Sequence, residues 1–134
     1  MPEKKTIERA RKAKREGKAP TTQAGEFVRE EIEHIREGKH GARSTKQAIA
    51  IGLSKARRAG VKLKPPGKGQ ASKRTRKSAE RELRAGQSRH RRKPSAKRSR
   101  AAKRALKREP RRAASRTALS RQARSAARRR RTGA

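Results

Sequence analysis

Forty-five lysines and arginines stand against eleven glutamates in this 134-residue chain, a formal net charge of +34, and the chemistry they suit is the capture of polyanions. Groups for other chemistries are sparse. Serine and threonine are plentiful, but without a single Asp neither a Ser/His/Asp constellation nor a paired-carboxylate site can be assembled, and no enzymatic activity is expected. The histidines His34, His40 and His90 lack a metal-ligand spacing and read as solvated, so no metal or other cofactor is expected. The absence of cysteine excludes a disulfide framework, thiol chemistry and cysteine-ligated zinc or iron–sulfur sites.

The cations fall into groups. Gly38-Lys39-His40-Gly41 lies between two predicted helices, where KH-type RNA-binding domains place a Gly-x-x-Gly loop on the nucleic-acid backbone. No segment alternates as a KH sheet requires, so the plainer reading is that Gly38 ends one helix and Gly41 turns the chain into the next. Lys39, His40, Arg43 and Lys46 still gather near the N-terminus of the following helix, a place suited to holding a phosphate. Arg57 and Arg58 close that helix. With Lys46 and Lys55 they could face a groove in a helix-turn-helix, but the six-residue connection is too long, and base-reading Asn is missing.

Beyond them come Lys73, Arg74, Arg76 and Lys77, then Arg89, Arg91, Arg92 and Lys93. Lys97, Arg98, Arg100, Lys103, Arg104, Lys107 and Arg108 recur largely at three- and four-residue spacing between Pro94 and Pro110. Arg111, Arg112 and the terminal run Arg128, Arg129, Arg130 and Arg131 complete the set of candidate nucleic-acid contacts. Over residues 68–134 there are 20 Arg and 7 Lys; arginine grips phosphate bidentately, so contacts should be strong and sequence-blind. Arg111 to Ser115 would suit a basophilic kinase, although an unmodified spacer serine is the plainer reading.

Two regions must position these groups. Residues 1–64 carry 18 basic and 8 acidic side chains, residues 65–134 carry 27 and 3, and eleven of the fourteen large aliphatic, Met and Phe residues precede Pro65. A folded module is therefore expected in the first half. Residues 1–21 read as a basic arm with a short helix capped by Thr6 and stopped at Gly17 and Pro20. A second helix is predicted from Thr22 to Glu37, with Phe27, Val28, Ile32 and Ile35 inward and Glu26, Glu30, Glu31 and Glu33 toward solvent. Ser44-Thr45-Lys46-Gln47 is a capping box opening a third helix, closed at Gly60 with Val61 folding back on Ala56. Its small residues permit close approach to a neighbour. The predicted fold is all-α: a helical hairpin over residues 22–64, a Pro/Gly hinge over 65–71, and a basic tail over 72–134, disordered or conditionally helical, whose charge repels itself until phosphates intervene.

Arg36 to Lys39 and the run from Ser44 to Arg57 resemble a family of small, basic bacterial proteins of unknown function whose members carry a Ser-x-Lys-Gln-Ala-Ile-Ala-Ile-Gly/Ala-Leu-Ser core. The resemblance covers roughly residues 22–64 and implies a bacterial origin and a helical module, without an activity. In composition the tail resembles linker-histone-like nucleoid proteins.

These features predict a non-sequence-specific DNA-binding, histone-like nucleoid protein of the cytoplasm that neutralises phosphates and bridges or compacts duplex DNA, with self-association through the hairpin. RNA or ribosome association follows from the same electrostatics, and anionic membrane surfaces are a third, weaker expectation because the latent helices have few bulky apolar residues. No signal peptide or membrane span is encoded. Thirty-four charges match the phosphates of roughly 17 base pairs.

Overall fold

The computed structural model describes residues 2–88 and 95–131. Among them lie six α-helices, α1 (Lys4–Arg15), α2 (Pro20–Arg36), α3 (Thr45–Arg58), α4 (Lys73–Gln87), α5 (Ala96–Lys107) and α6 (Arg116–Arg131), with a 3₁₀ turn at Arg112–Ala114 and no strand. The all-α expectation holds, but the disordered tail does not. Described residues beyond the Pro/Gly segment form three helices, because alanine, arginine and lysine favour helix and prolines fall only between elements. Ser72 caps α4 by accepting from the Thr75 amide at 3.2 Å, and Ser95 caps α5 through the Arg98 amide at the same distance.

The chain sorts into two compact units that do not follow the predicted hinge. One comprises Met1–Glu30 with Ile51–Arg92, the other Glu31–Ala50 with Lys93–Ala134. Residues 65–71 sit inside the first, where a turn is fixed by the Gln70 amide donating to the Gly67 carbonyl and the Gly67 amide donating to Gln70 Oε1.

In the first unit Phe27, 1 % exposed, packs with Ala10, Ala24, Ala56, Val61 and Leu63, and Ile7, Leu53 and Ala59 border them. Small side chains let the helices close on a single aromatic. A Cβ on Gly52 would lie 2.6 Å from Val28 Cα, so α2 and α3 touch backbone to backbone there. The third helix ends as its sequence predicts: Gly60, at φ +107°, lets the Val61 amide reach the Ala56 carbonyl, and Val61 is buried over it. Thr6 departs from its expected role. Glu3 is the N-cap residue of α1, and Thr6 lies buried within the helix.

Helix α4 belongs to this unit although it is part of the presumed tail. Ala79 and Gly86 are buried, a Cβ at Gly86 would collide with the Arg57 carbonyl, Gln87 Nε2 donates to the Gly60 carbonyl at 3.0 Å, and Arg58 faces Glu82 at 3.9 Å. The signals for it were Ser72 as a cap and Ala79, Leu83 and Gly86 at i, i+4 and i+7.

The second unit buries Ile32, Ile35, Ala42, Ala48, Ala113 and Ala114. Gly38, at φ +80°, closes α2 with the Lys39 amide on the His34 carbonyl, and the chain reverses into α3, where half of the predicted capping box forms: the Gln47 amide donates to Ser44 Oγ at 3.2 Å, while Gln47 Oε1 accepts the Arg43 amide rather than that of Ser44. Residues 106–114 dock on this reversal mainly by offering backbone carbonyls to it. The Gly41 amide donates to the Leu106 carbonyl at 2.8 Å, Ala42 to Pro110 at 3.1 Å, Thr45 Oγ1 to Ala113 at 2.6 Å and Arg36 Nε to Ala114 at 3.0 Å.

Candidate nucleic-acid interface

Helix α5 has six cations among twelve residues, no acid and no buried residue, and all six of Lys97, Arg98, Arg100, Lys103, Arg104 and Lys107 are exposed. Their three- and four-residue spacing lines five of them along one face of the helix, with Arg98 set apart from that stripe. Five pairs within α5 lie three or four residues apart, each opposing the helix by about 0.2–0.5 kcal/mol at low salt, together comparable to the roughly 1 kcal/mol that the Ser95 cap supplies. A line of phosphates would remove that opposition. Arg108 follows as the C-cap and is exposed.

Helix α6 carries seven arginines and no acid, with Arg128, Arg129, Arg130 and Arg131 exposed in its last turn, where positive charge also complements the helix dipole. Ala118, Leu119, Gln122, Ser125 and Ala126 on it are half-buried, Arg121 and Arg124 lie on the opposite, exposed side, and the four terminal arginines ring the last turn. At its start Arg36, Arg111, Arg112, Ser115 and Arg116 line a shallow basic hollow. Ser115 caps α6 by accepting from the Ala118 amide, and Arg112 is exposed. Arg111 is partly committed: its guanidinium donates to the carbonyls of Ile35 and Arg36 at the end of α2.

In the other unit α4 presents Lys73, Arg74 and Lys77, all exposed, and Lys73, Arg74, Lys77, Arg81 and Arg84 line a groove with Glu80. Arg76 is half-buried, and its Nε atom is buried without a hydrogen-bond partner. The two acids of α4 leave it less positive than α5 or α6. Arg89, Arg91, Arg92 and Lys93 lie outside the described residues.

Two predicted contact residues serve the fold instead. Arg57 is 6 % exposed; its Nε donates to the Leu63 carbonyl and its Nη2 to Lys64, tying the chain after α3 back onto the helix. Burial holds this guanidinium below the usual arginine range, with Glu82 acting in the opposite direction. His40 is half-buried rather than solvated, with Nδ1 2.8 Å from the Gly41 carbonyl and Nε2 3.1 Å from Glu31 Oε2. Glu30 and Glu31, expected in solvent, are 3 % and 0 % exposed; Glu30 Oε1 accepts the Glu3 amide at 2.6 Å. Helical spacing does hold the clue for Glu31, four residues after Phe27 and four before Ile35 and so within the apolar stripe, whereas Glu30 lies at its edge.

The Gly-x-x-Gly loop is likewise occupied by its own chain. Gly41 is glycine because the Glu109 carbonyl fills the position of a Cβ, and the Gly41 and Ala42 amides are spent on residues 106 and 110. Lys39, Arg43 and Lys46 remain exposed around it, with Lys39 3.3 Å from Glu37, and Arg58 is exposed at the end of α3. Among the described residues no helix is long and apolar enough to cross a membrane.

Residues 4–69 match a family of unknown function, DUF6496, a stretch that reaches from α1 to the turn before α4. No curated protein and no solved structure matches the chain.

Proposed function

With a first half that matches a family of no assigned activity, function has to be read from the surface, and we propose that the protein binds duplex DNA without sequence preference, as a nucleoid-associated protein that neutralises phosphates and bridges or compacts DNA. The observation that carries this reading is α5: six exposed cations, no acid and no apolar residue buried on it. Such a helix gains nothing from the fold that would justify its charge density, and a polyanion is the partner that does. A bare α-helix fits the roughly 12 Å major groove, and the lysines and arginines along the charged face of α5 suit a line of phosphates. Without aromatics on α5 or α6 there are no stacking platforms for single-stranded bases, which favours the duplex. Cationic surface in both compact units supports bridging, and self-association through α2 and α3 would add to it.

The experiment is a salt series on the full chain with duplex DNA, structured RNA and anionic vesicles. Truncation at residue 64 is unsuitable, because it would strip α4 from Arg57 and Gly60. Engagement of about ten phosphates gives a log–log salt slope near −9 on duplex DNA. Replacing the six α5 cations by Gln should make the slope shallower by about 0.9 for each phosphate no longer neutralised. A slope shallower than about −3, or an unchanged slope in the α5 variant, refutes the reading, and tighter binding to RNA at matched salt reassigns the partner.

A further inference from the structure

Both ring nitrogens of His40 face oxygen atoms of its own chain. A carbonyl oxygen only accepts, so the 2.8 Å contact of Nδ1 with Gly41 O places a hydrogen on Nδ1. The neutral ring then turns the lone pair of Nε2 toward Glu31 Oε2, itself an acceptor, 3.1 Å away. A metal ion bound by both atoms would join these two acceptors. His34, one helical turn beyond Glu31 on α2, packs its ring edge-on to His40 with centroids 6.2 Å apart and an interplanar angle of 82°. Ligand atoms of all three side chains lie within 4.8 Å of one another, with Glu31 buried and both histidines half-buried.

We propose that Glu31, His34 and His40 bind a divalent transition-metal ion of the zinc class. Two imidazole nitrogens and one carboxylate oxygen are a donor set that suits such an ion, with a remaining position for water. Ligand atoms each about 2.0–2.1 Å from a tetrahedral zinc are about 3.3 Å apart, close to the 3.1 Å between Nε2 and Oε2. The Gly41 carbonyl on Nδ1 supplies the outer hydrogen bond that fixes the tautomer of a ligating histidine. Spacing alone hides this site, because Glu31 and His34 share a helix face while His40 returns to them only through the reversal at Gly38. The ion would pin the loop whose Gly41 and Ala42 amides hold residues 106 and 110, so metal binding would steady the segment between α5 and α6.

The test titrates chelator-treated full-length protein with Zn²⁺ by calorimetry and with Co²⁺ by visible absorption, beside thermal melts. Saturable binding of one equivalent, ligand-field bands of a nitrogen- and oxygen-ligated Co²⁺ and a higher Tm with Zn²⁺ are expected. His34→Ala, His40→Ala and Glu31→Gln should each weaken binding at least about tenfold, while His90→Ala leaves it unchanged. Circular dichroism checks that each variant is folded; should His40→Ala unfold the chain, His34→Gln carries the comparison. Absence of saturable binding overturns the proposal. Equal loss in the His90 variant, or none in the His34 variants, overturns it as well.

Discussion

Replacing Gly86 by alanine separates a docked α4 from an independent one by the sign of a stability change. In a free helix Gly→Ala is stabilising by about 0.8–1.0 kcal/mol, because glycine loses more backbone freedom than alanine. In the folded chain the new methyl would collide with the Arg57 carbonyl, a backbone atom at the end of α3 that cannot rotate away. Overpacking of this kind costs about 1–3 kcal/mol. Gly25 on α2 is the matched control, since it is exposed and nothing lies within 4 Å of its missing Cβ. At about 2.1 cal/mol/K per residue over 134 residues, each kcal/mol shifts Tm by about 3–4 °C. Gly25→Ala should therefore raise Tm by about 2–4 °C and Gly86→Ala lower it by about 4–10 °C, read by circular dichroism of the full chain in moderate salt. If both substitutions raise Tm alike, α4 does not pack on α3 and its placement in the first unit is wrong.

Other perturbations probe the remaining joints. Phe27→Ala removes the only aromatic, buried at 1 % exposure, and should cost about 3–5 kcal/mol, lowering the urea midpoint; a loss under about 1 kcal/mol would mean that the alanines around it make no core. Arg57→Leu leaves the Leu63 and Lys64 carbonyls without their donor and should destabilise by about 1–3 kcal/mol, whereas Arg43→Leu, an exposed control, should change little in the same denaturation assay. Ser95→Ala removes the cap of a helix without buried contacts, so far-UV ellipticity should fall in low salt and recover on adding duplex DNA; an unchanged spectrum in low salt refutes the balance drawn between cap and repulsion.

Helices α2 and α3 were legible because their signals are local: an apolar stripe at helical spacing, glycines at the C′ positions, and the Ser44 to Gln47 box. The docking of residues beyond 72 was not, because it is made by groups that carry no hydrophobic signal. Gly86 admits a neighbouring backbone, Ala79 is buried without adding a bulky side chain, and residues 106–114 are held largely through carbonyls that every residue possesses. High charge and low hydropathy therefore read as disorder where a helix needed only small contacts. Acid content was the neglected clue, since Glu82 meets Arg58 and Glu109 backs onto Gly41. For the interface, composition alone placed exposed cations on α5 and α6. It could not tell that Arg57 turns inward to bond two carbonyls, or that His40 turns back to Glu31, because both depend on where the chain goes after a helix ends.

The joining of Gly41 and Ala42 to Leu106 and Pro110 also sets an order of events during synthesis. The loop is made some 65 residues before its partners, a lag of about 3–13 s at about 5–20 residues per second. Over that interval its two amides are open donors beside Lys39, Arg43 and Lys46, available to any anion near the growing chain. Arrival of residues 106–114 closes that window. A nascent chain and a finished one thus differ in what their Gly-x-x-Gly loop can hold.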